Sequence, residues 1–127
     1  MLSEIAYSYI KKDIYEAAID NYLYVMQKSF HIAIIKPFYR NIRKELTKMP
    51  NVYFLDNGLR NFFLSNFKSP DLREDKGALL ENTVFRQLLE HYQAYEIYFW
   101  RTTQGHEVDF IAGEKEAFEV KTSIASL

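Results

Sequence analysis

Two short segments rich in β-branched and aromatic residues, EVDFI at 107–111 and AFEVKT at 117–122, are separated only by the turn AGEKE. Such a pair predicts an antiparallel hairpin, and its register decides which side chains meet. With the turn centred on Glu114, Asp109 and Glu119 stand equidistant from it and face one another. A loop of odd length keeps that pairing, whereas an even one breaks it. Directly opposed residues carry their Cβ atoms about 4.5–5.5 Å apart, where like charges repel. Period-two alternation puts Lys121 on the face of Glu119 and sends Val108, Phe110, Phe118 and Val120 to the other face to pack. Two acids and a lysine are thus expected on one patch of sheet. An ordinary surface hairpin with a Glu–Lys pair has the same spacing.

Upstream, YEIYFW at 95–100 and the polar turn RTTQG add a third strand to this meander. A helix is expected before it, from about Asp75 to Tyr92. At about 100° per residue, Val84, Phe85, Leu88 and Tyr92 all fall within about 60° of Glu81, with Leu80 and Leu89 flanking them. Glu81 therefore sits in the middle of the apolar stripe. An unpaired ionised carboxylate buried there costs several kcal/mol or takes up a proton. A metal ion or a buried cationic side chain resolves that cost. Together Glu81, Asp109 and Glu119 suit a hard divalent cation such as Mg²⁺, which is held by one or two carboxylates plus water and phosphate oxygens. Lys121 stands where it can orient an attacking water or neutralise developing charge.

The N-terminal half has a different pattern. Residues 4–30 read as one helix without internal Pro or Gly, with Ile19, Leu23 and Met26 on a stripe expected to face a core. HIAIIKPF at 31–38 and NVYFLD at 51–56 read as strands, the first ended by Pro37. Between Lys36 and Lys48 lie five basic residues, Lys36, Arg40, Arg43, Lys44 and Lys48, against the single acid Glu45. On a chain of net charge −1, that basic wing is a candidate contact for nucleic-acid phosphates; a solvated hairpin tip has the same composition. Asp56-Asn57-Gly58 is a turn signal, after which LRNFFLSNF returns to helical spacing. The polar stretch FKSPDLREDKG is the candidate linker, dividing 1–70 from 71–127.

Composition excludes several classes. With 48% hydrophobic and 17% aromatic residues the 127-residue chain has enough apolar material for a core. Without cysteine it holds no disulfide and no thiolate zinc site. No apolar run reaches the roughly 18 residues of a membrane span, and the first residues lack a signal-peptide pattern, so a cytoplasmic location without membrane contact is expected. No phosphate-binding G-x-x-x-x-G-K-[ST] loop surrounds Gly58, Gly77, Gly105 or Gly113. His31, His91 and His106 have no metal-ligand spacing, and Ser123 and Ser126 have no paired base. His106 lies just before the EVD strand, where it reads either as a contact to a substrate phosphate or, more simply, as an ordinary turn histidine, and Arg101 and Gln104 share that turn and both readings.

Glu81 on a helix, followed by Asp109 and Glu119-Val120-Lys121 on consecutive strands, resembles the PD-(D/E)XK nuclease superfamily. More narrowly, SYIKKDI, YFLDNGLRNFFL, GALLENTVF, EVDFI and FEVKTS, in this order over most of residues 8–123, resemble the domain of unknown function found C-terminal to bacterial and archaeal AAA-type ATPase domains. The resemblance implies an α/β (α+β) fold: a partial winged-helix-like N-terminal half, then a restriction-endonuclease-like helix plus antiparallel strand meander. It implies that Glu81, Asp109 and Glu119 bind Mg²⁺ and that Lys121 assists attack on a phosphodiester. It also implies an ATPase domain in cis and a nucleic acid, chiefly DNA, as partners. Compared with that family the segment after SYIKKDI is shorter, and the chain ends six residues beyond Lys121, where the nuclease core continues. A fragment, or a fold completed by a partner or by oligomerisation, is expected on that ground. The rival expectation is a catalytically silent module that binds DNA or assembles the ATPase.

Overall fold

The computed structural model describes residues 4–38 and 50–123. The chain divides into two compact units, Met1–Ile32 and Ala33–Leu127. In the first, helix α1 runs over Glu4–Lys28, and the Ser29 hydroxyl donates to the Val25 carbonyl (2.8 Å) in its last turn. The expected stripe of Ile19, Leu23 and Met26 is not a buried one: Ile19 is 52% exposed, and Leu23 and Met26 are half-buried. Tyr15, Tyr22, Tyr24 and Val25 are also exposed, because apolar residues are spread around this helix and no single stripe gathers them.

The second unit is an α+β layer. Its strands are β1 (Ile32–Pro37), β2 (Asn51–Phe54), β3 (Ile97–Arg101), β4 (Glu107–Ala112) and β5 (Glu116–Phe118), and its helices α2 (Asn57–Phe63) and α3 (Lys76–Leu88). The sheet order is β2-β1-β3-β4-β5. β1 runs parallel to β3, and β3, β4 and β5 form the expected antiparallel meander. Strands from both sides of the candidate linker therefore share one sheet. A parallel neighbour requires a long crossover, here made by β2, α2 and α3.

Helix α3 lies against the face bearing Ile97, Phe99 and Phe110, with Phe85 and Leu88 in the core beside Ala33, Ile35 and Tyr53. Phe85, Phe110, Ile35 and Ile97 are fully buried, each worth roughly 1.5–3 kcal/mol of transfer free energy. Phe118 and Val120 pack on this core as alternation requires. The helix is shorter than its apolar pattern, because residues 89–92 turn away before the 3-10 turn Ala94–Glu96.

Two polar connections hold this layer in register. Asn82, 3% exposed, clasps the end of β2: its Oδ1 accepts from the Phe54 N–H (2.9 Å), and its Nδ2 donates to the Phe54 carbonyl (3.0 Å) and Asn57 Oδ1 (2.7 Å). The expected Asp-Asn-Gly turn is the start of α2, where Asp56 Oδ1 accepts from the Gly58 N–H (3.1 Å) as an N-cap. The polar stretch read as a linker is an ordered connection. Buried Arg73 donates to both carboxylate oxygens of Asp75 (2.8 and 2.9 Å), to Asn61 Oδ1 (2.8 Å) and to the Asn66 carbonyl (3.1 Å). A buried guanidinium is tolerated when its donors find such a set of acceptors. Among the described residues, no helix is long and apolar enough to cross a membrane.

Candidate functional site

The hairpin has the register read from its spacing: Phe110 pairs with Phe118, Ile111 with Ala117 and Ala112 with Glu116. Glu114 is at the centre of the turn, and both Gly113 (φ 61°) and Glu114 (φ 59°) adopt left-handed backbone. Continuing the register sets Asp109 opposite Glu119. Val120, just past the end of β5, donates its N–H to Asp109 Oδ2 at 2.7 Å.

On its other side β4 departs from strict alternation. Tyr98 pairs with Ile111 and Trp100 with Val108, so Phe99 alone faces both Asp109 and Phe110. This is a β-bulge, a device that re-aims a side chain and recurs beside active sites. Cross-strand partners share a face, so Val108 goes with Trp100, opposite to Phe99 and Phe110. Strict alternation had placed Val108 among the packing residues, and the doubled residue is why it is not there. Glu107 correspondingly meets Arg101 on the α3 face, 3.6 Å from its Nε.

The bulge brings Asp109 to Glu81. The Asp109 carboxyl acts on Glu81 through charge and hydrogen bonding, and the phenol of buried Tyr53 donates to Glu81 Oε2 at 2.7 Å. Burial pushes the Glu81 carboxyl above its ordinary range. The Tyr53 hydrogen bond opposes that shift, the hydrogen bond and charge of Asp109 add to it, and the Arg101 charge opposes it. Tyr53 is itself raised above the usual phenol range, by burial first and then by Glu81. A carboxyl pair in contact is relieved by one shared proton or by a bound cation.

Glu119 and Lys121 lie at the margin. Their side chains are both exposed and form an ion pair at 2.9 Å. The hydrogen bond and charge of Glu119 raise the Lys121 ammonium, with smaller contributions from the charges of Asp109 and Glu107. The structure thus joins Glu81 to Asp109, and Glu119 to Lys121. Among the described residues, no three acidic or histidine side chains cluster as a ready metal cage. The half-buried Glu81–Asp109 pair nonetheless fits a hard divalent cation that retains several waters.

Of the other sequence candidates, Arg101 stands over the Phe99 ring (5.2 Å) on the side of the carboxyl pair. His106 and Gln104 are exposed on the turn, which is closed by the Thr102 N–H donating to the His106 carbonyl at 2.8 Å. Lys36 is exposed on β1, and Arg40, Arg43, Lys44 and Lys48 lie outside the described residues. Tyr53 was missed by sequence reasoning, although a lone hydroxyl within the apolar strand NVYFL is a signal that a buried acceptor awaits it.

Residues 2–71 match the domain of unknown function DUF8612, and residues 76–126 match the domain of unknown function DUF4143. The chain is similar to the uncharacterized proteins Mb2031c of Mycobacterium bovis and Rv2008c of Mycobacterium tuberculosis. It is 28% identical to each over 121 residues, which is 91% of this chain and 27% of each relative. It therefore spans about a quarter of the length of these curated relatives. No solved structure matches it.

Proposed function

The chain belongs to the DUF8612 family, and from that premise we propose that it is the C-terminal, nucleic-acid-handling region of an AAA-family ATPase, with a PD-(D/E)XK-like phosphodiesterase site. The observation that carries this reading is half-buried Glu81, held by the Tyr53 phenol at 2.7 Å, with the β4 bulge at Asp109 redirecting a second carboxylate whose charge acts on it. A surface hairpin with ordinary charge pairing has no need of such a bulge, and bulges of this kind recur where a side chain must be redirected.

Glu81 and Asp109 would hold Mg²⁺, with Glu119 completing the set once released from Lys121. When bound, the cation lowers the pKa of water and stabilises charge on a phosphoryl group. The protein's own groups do the rest. Asp109, fixed by the Val120 N–H, and Glu81, fixed by Tyr53, keep the acidic pair in place. Arg101 and Lys121 put positive charge beside that pair, where the phosphodiester would lie. Lys121 is also positioned to orient a water and to stabilise developing negative charge. The basic segment 36–48 would contact DNA phosphates. ATP hydrolysis would belong to a cytoplasmic ATPase domain in cis, since no phosphate-binding loop occurs in this sequence.

The exposed Glu119–Lys121 ion pair favours the second reading, a silent DNA-binding or assembly module in which only the fold persists. Calorimetric titration of the chain with Mg²⁺ and Mn²⁺, wild type against Asp109→Ala, separates the two. Saturable binding that the substitution abolishes supports the phosphodiesterase site. A folded wild type that binds neither ion leaves the silent module.

A further inference from the structure

Tyr53 is 4% exposed and its ring is wedged between two aromatic core residues, 4.8 Å from Phe85 and 5.2 Å from Phe110 by ring centroid. A phenylalanine would fill the same space without the cost of burying a hydroxyl. The hydroxyl donates to Glu81 Oε2 at 2.7 Å. Because stacking fixes the ring, the phenol oxygen has little freedom. Glu81 has rotatable bonds of its own and stands on α3 in a half-buried position. The rigid partner therefore dictates the orientation of the flexible one.

Phe110, one of the two residues that hold the Tyr53 ring, is also the residue next to Asp109 in the bulge. The packing that positions the phenol is thus continuous with the backbone that redirects Asp109. We propose that Tyr53 is the positioning residue of the cation site: its hydroxyl commits Oε2 of Glu81, arrests the rotation of that carboxylate and keeps it oriented toward Asp109. This inference rests on the reading of Glu81 and Asp109 as cation ligands. Hydrogen-bonded partners of liganding carboxylates have this effect in general, and their loss costs about 10–100-fold in metal affinity.

The test is calorimetric titration of the full chain with Mn²⁺ for wild type, Tyr53→Phe, Tyr53→Met, Glu81→Asp and Asp109→Ala, each with its melting curve. Tyr53→Phe keeps the ring and removes only the hydroxyl. We expect a cooperatively folded protein that melts several degrees below wild type, for the one hydrogen bond lost, and Mn²⁺ affinity lower by about 10–100-fold. Glu81→Asp moves a ligand and serves as the control for the cation site; Tyr53→Met, which removes the hydroxyl, fills the core adaptably and leaves both carboxylates in place, serves the test if Tyr53→Phe does not fold. If Tyr53→Phe binds Mn²⁺ as tightly as wild type while Asp109→Ala does not bind, the role of Tyr53 is refuted and the cation site stands. If folded wild type does not bind Mn²⁺, the cation site is refuted and the positioning role falls with it.

Discussion

Asp109→Asn should make this protein more stable and abolish cation binding. Asp109 and Glu81 are both half-buried, and the charge of Asp109 helps to raise the Glu81 carboxyl. Two ionised carboxylates about 4 Å apart, at an effective dielectric of about 20, repel by about 4 kcal/mol. The Arg101 charge and the raised pKa of Glu81 offset much of this, leaving a relief of about 1–2 kcal/mol when one charge is removed. Asparagine retains an oxygen to accept from the Val120 N–H, a bond of 2.7 Å in the wild type, so the relief is not cancelled. For a chain of this size each kcal/mol moves the melting temperature by about 3–6 °C, and a rise of about 3–12 °C is expected at pH 7 and low salt. Asp109→Ala leaves that N–H without its charged acceptor, a loss of about 1.5–3 kcal/mol, and should melt below Asp109→Asn. The pH dependence carries a sign. The folded-state pKa of Glu81 is raised above its unfolded value, so its contribution is fully present below the unfolded pKa, about 4.3, and is lost as pH rises through the folded value. The advantage of Asp109→Asn should therefore shrink as the pH is lowered toward 4. Thermal melts from pH 4 to pH 8 check both points. An Asp109→Asn variant that melts at or below the wild type at pH 7 would refute the account of the carboxyl pair.

Gly113→Ala should destabilise the hairpin. Alanine at φ 61° costs about 1–2 kcal/mol, and its Cβ would lie 2.8 Å from Tyr92 Cε1; denaturant melts should show a loss of at least that size, and none if the turn can adopt another form. Asn82→Ala should cost about 2–3 kcal/mol, because both the N–H and the carbonyl of Phe54 lose their clasp, and hydrogen exchange at Phe54 should quicken. The Arg73 hydrogen bonds, together with Arg60, hold the Asp75 carboxyl well below the usual carboxylate range. Its contribution is present above the unfolded pKa, about 3.9, and is lost as pH falls toward the folded value. Acid titration should show Asp75→Asn without the stability loss that wild type suffers below about pH 4.

The hairpin was legible because its register depends on parity alone. Glu114 stands midway between Phe110 and Phe118 in the sequence, and those residues pair in the sheet. Glu81 was legible for a related reason, since helical periodicity puts it in an apolar stripe where a bare carboxylate is costly. Arg73 was hidden, because a charged residue in a polar stretch looks solvated until its acceptors, Asn61, Asn66 and Asp75, are brought around it. The stripe of Ile19, Leu23 and Met26 shows the opposite limit: helical spacing marks a face without burying it, and these residues stay exposed or half-buried.

The sequence by itself determined the α+β class, the order of helix and strands in the C-terminal half, and the pairing of the hairpin, since alternation, helical periodicity and turn chemistry are local properties of the chain. Only the tertiary structure decided that Asp109 meets Glu81, that Tyr53 holds that acid, and that the Glu119 carboxylate pairs with Lys121. The first two of these depend on one doubled residue opposite Phe99 and on a tyrosine 28 positions from its partner. A bulge leaves no mark in the periodicity of its own strand, because it exists only relative to the strand alongside.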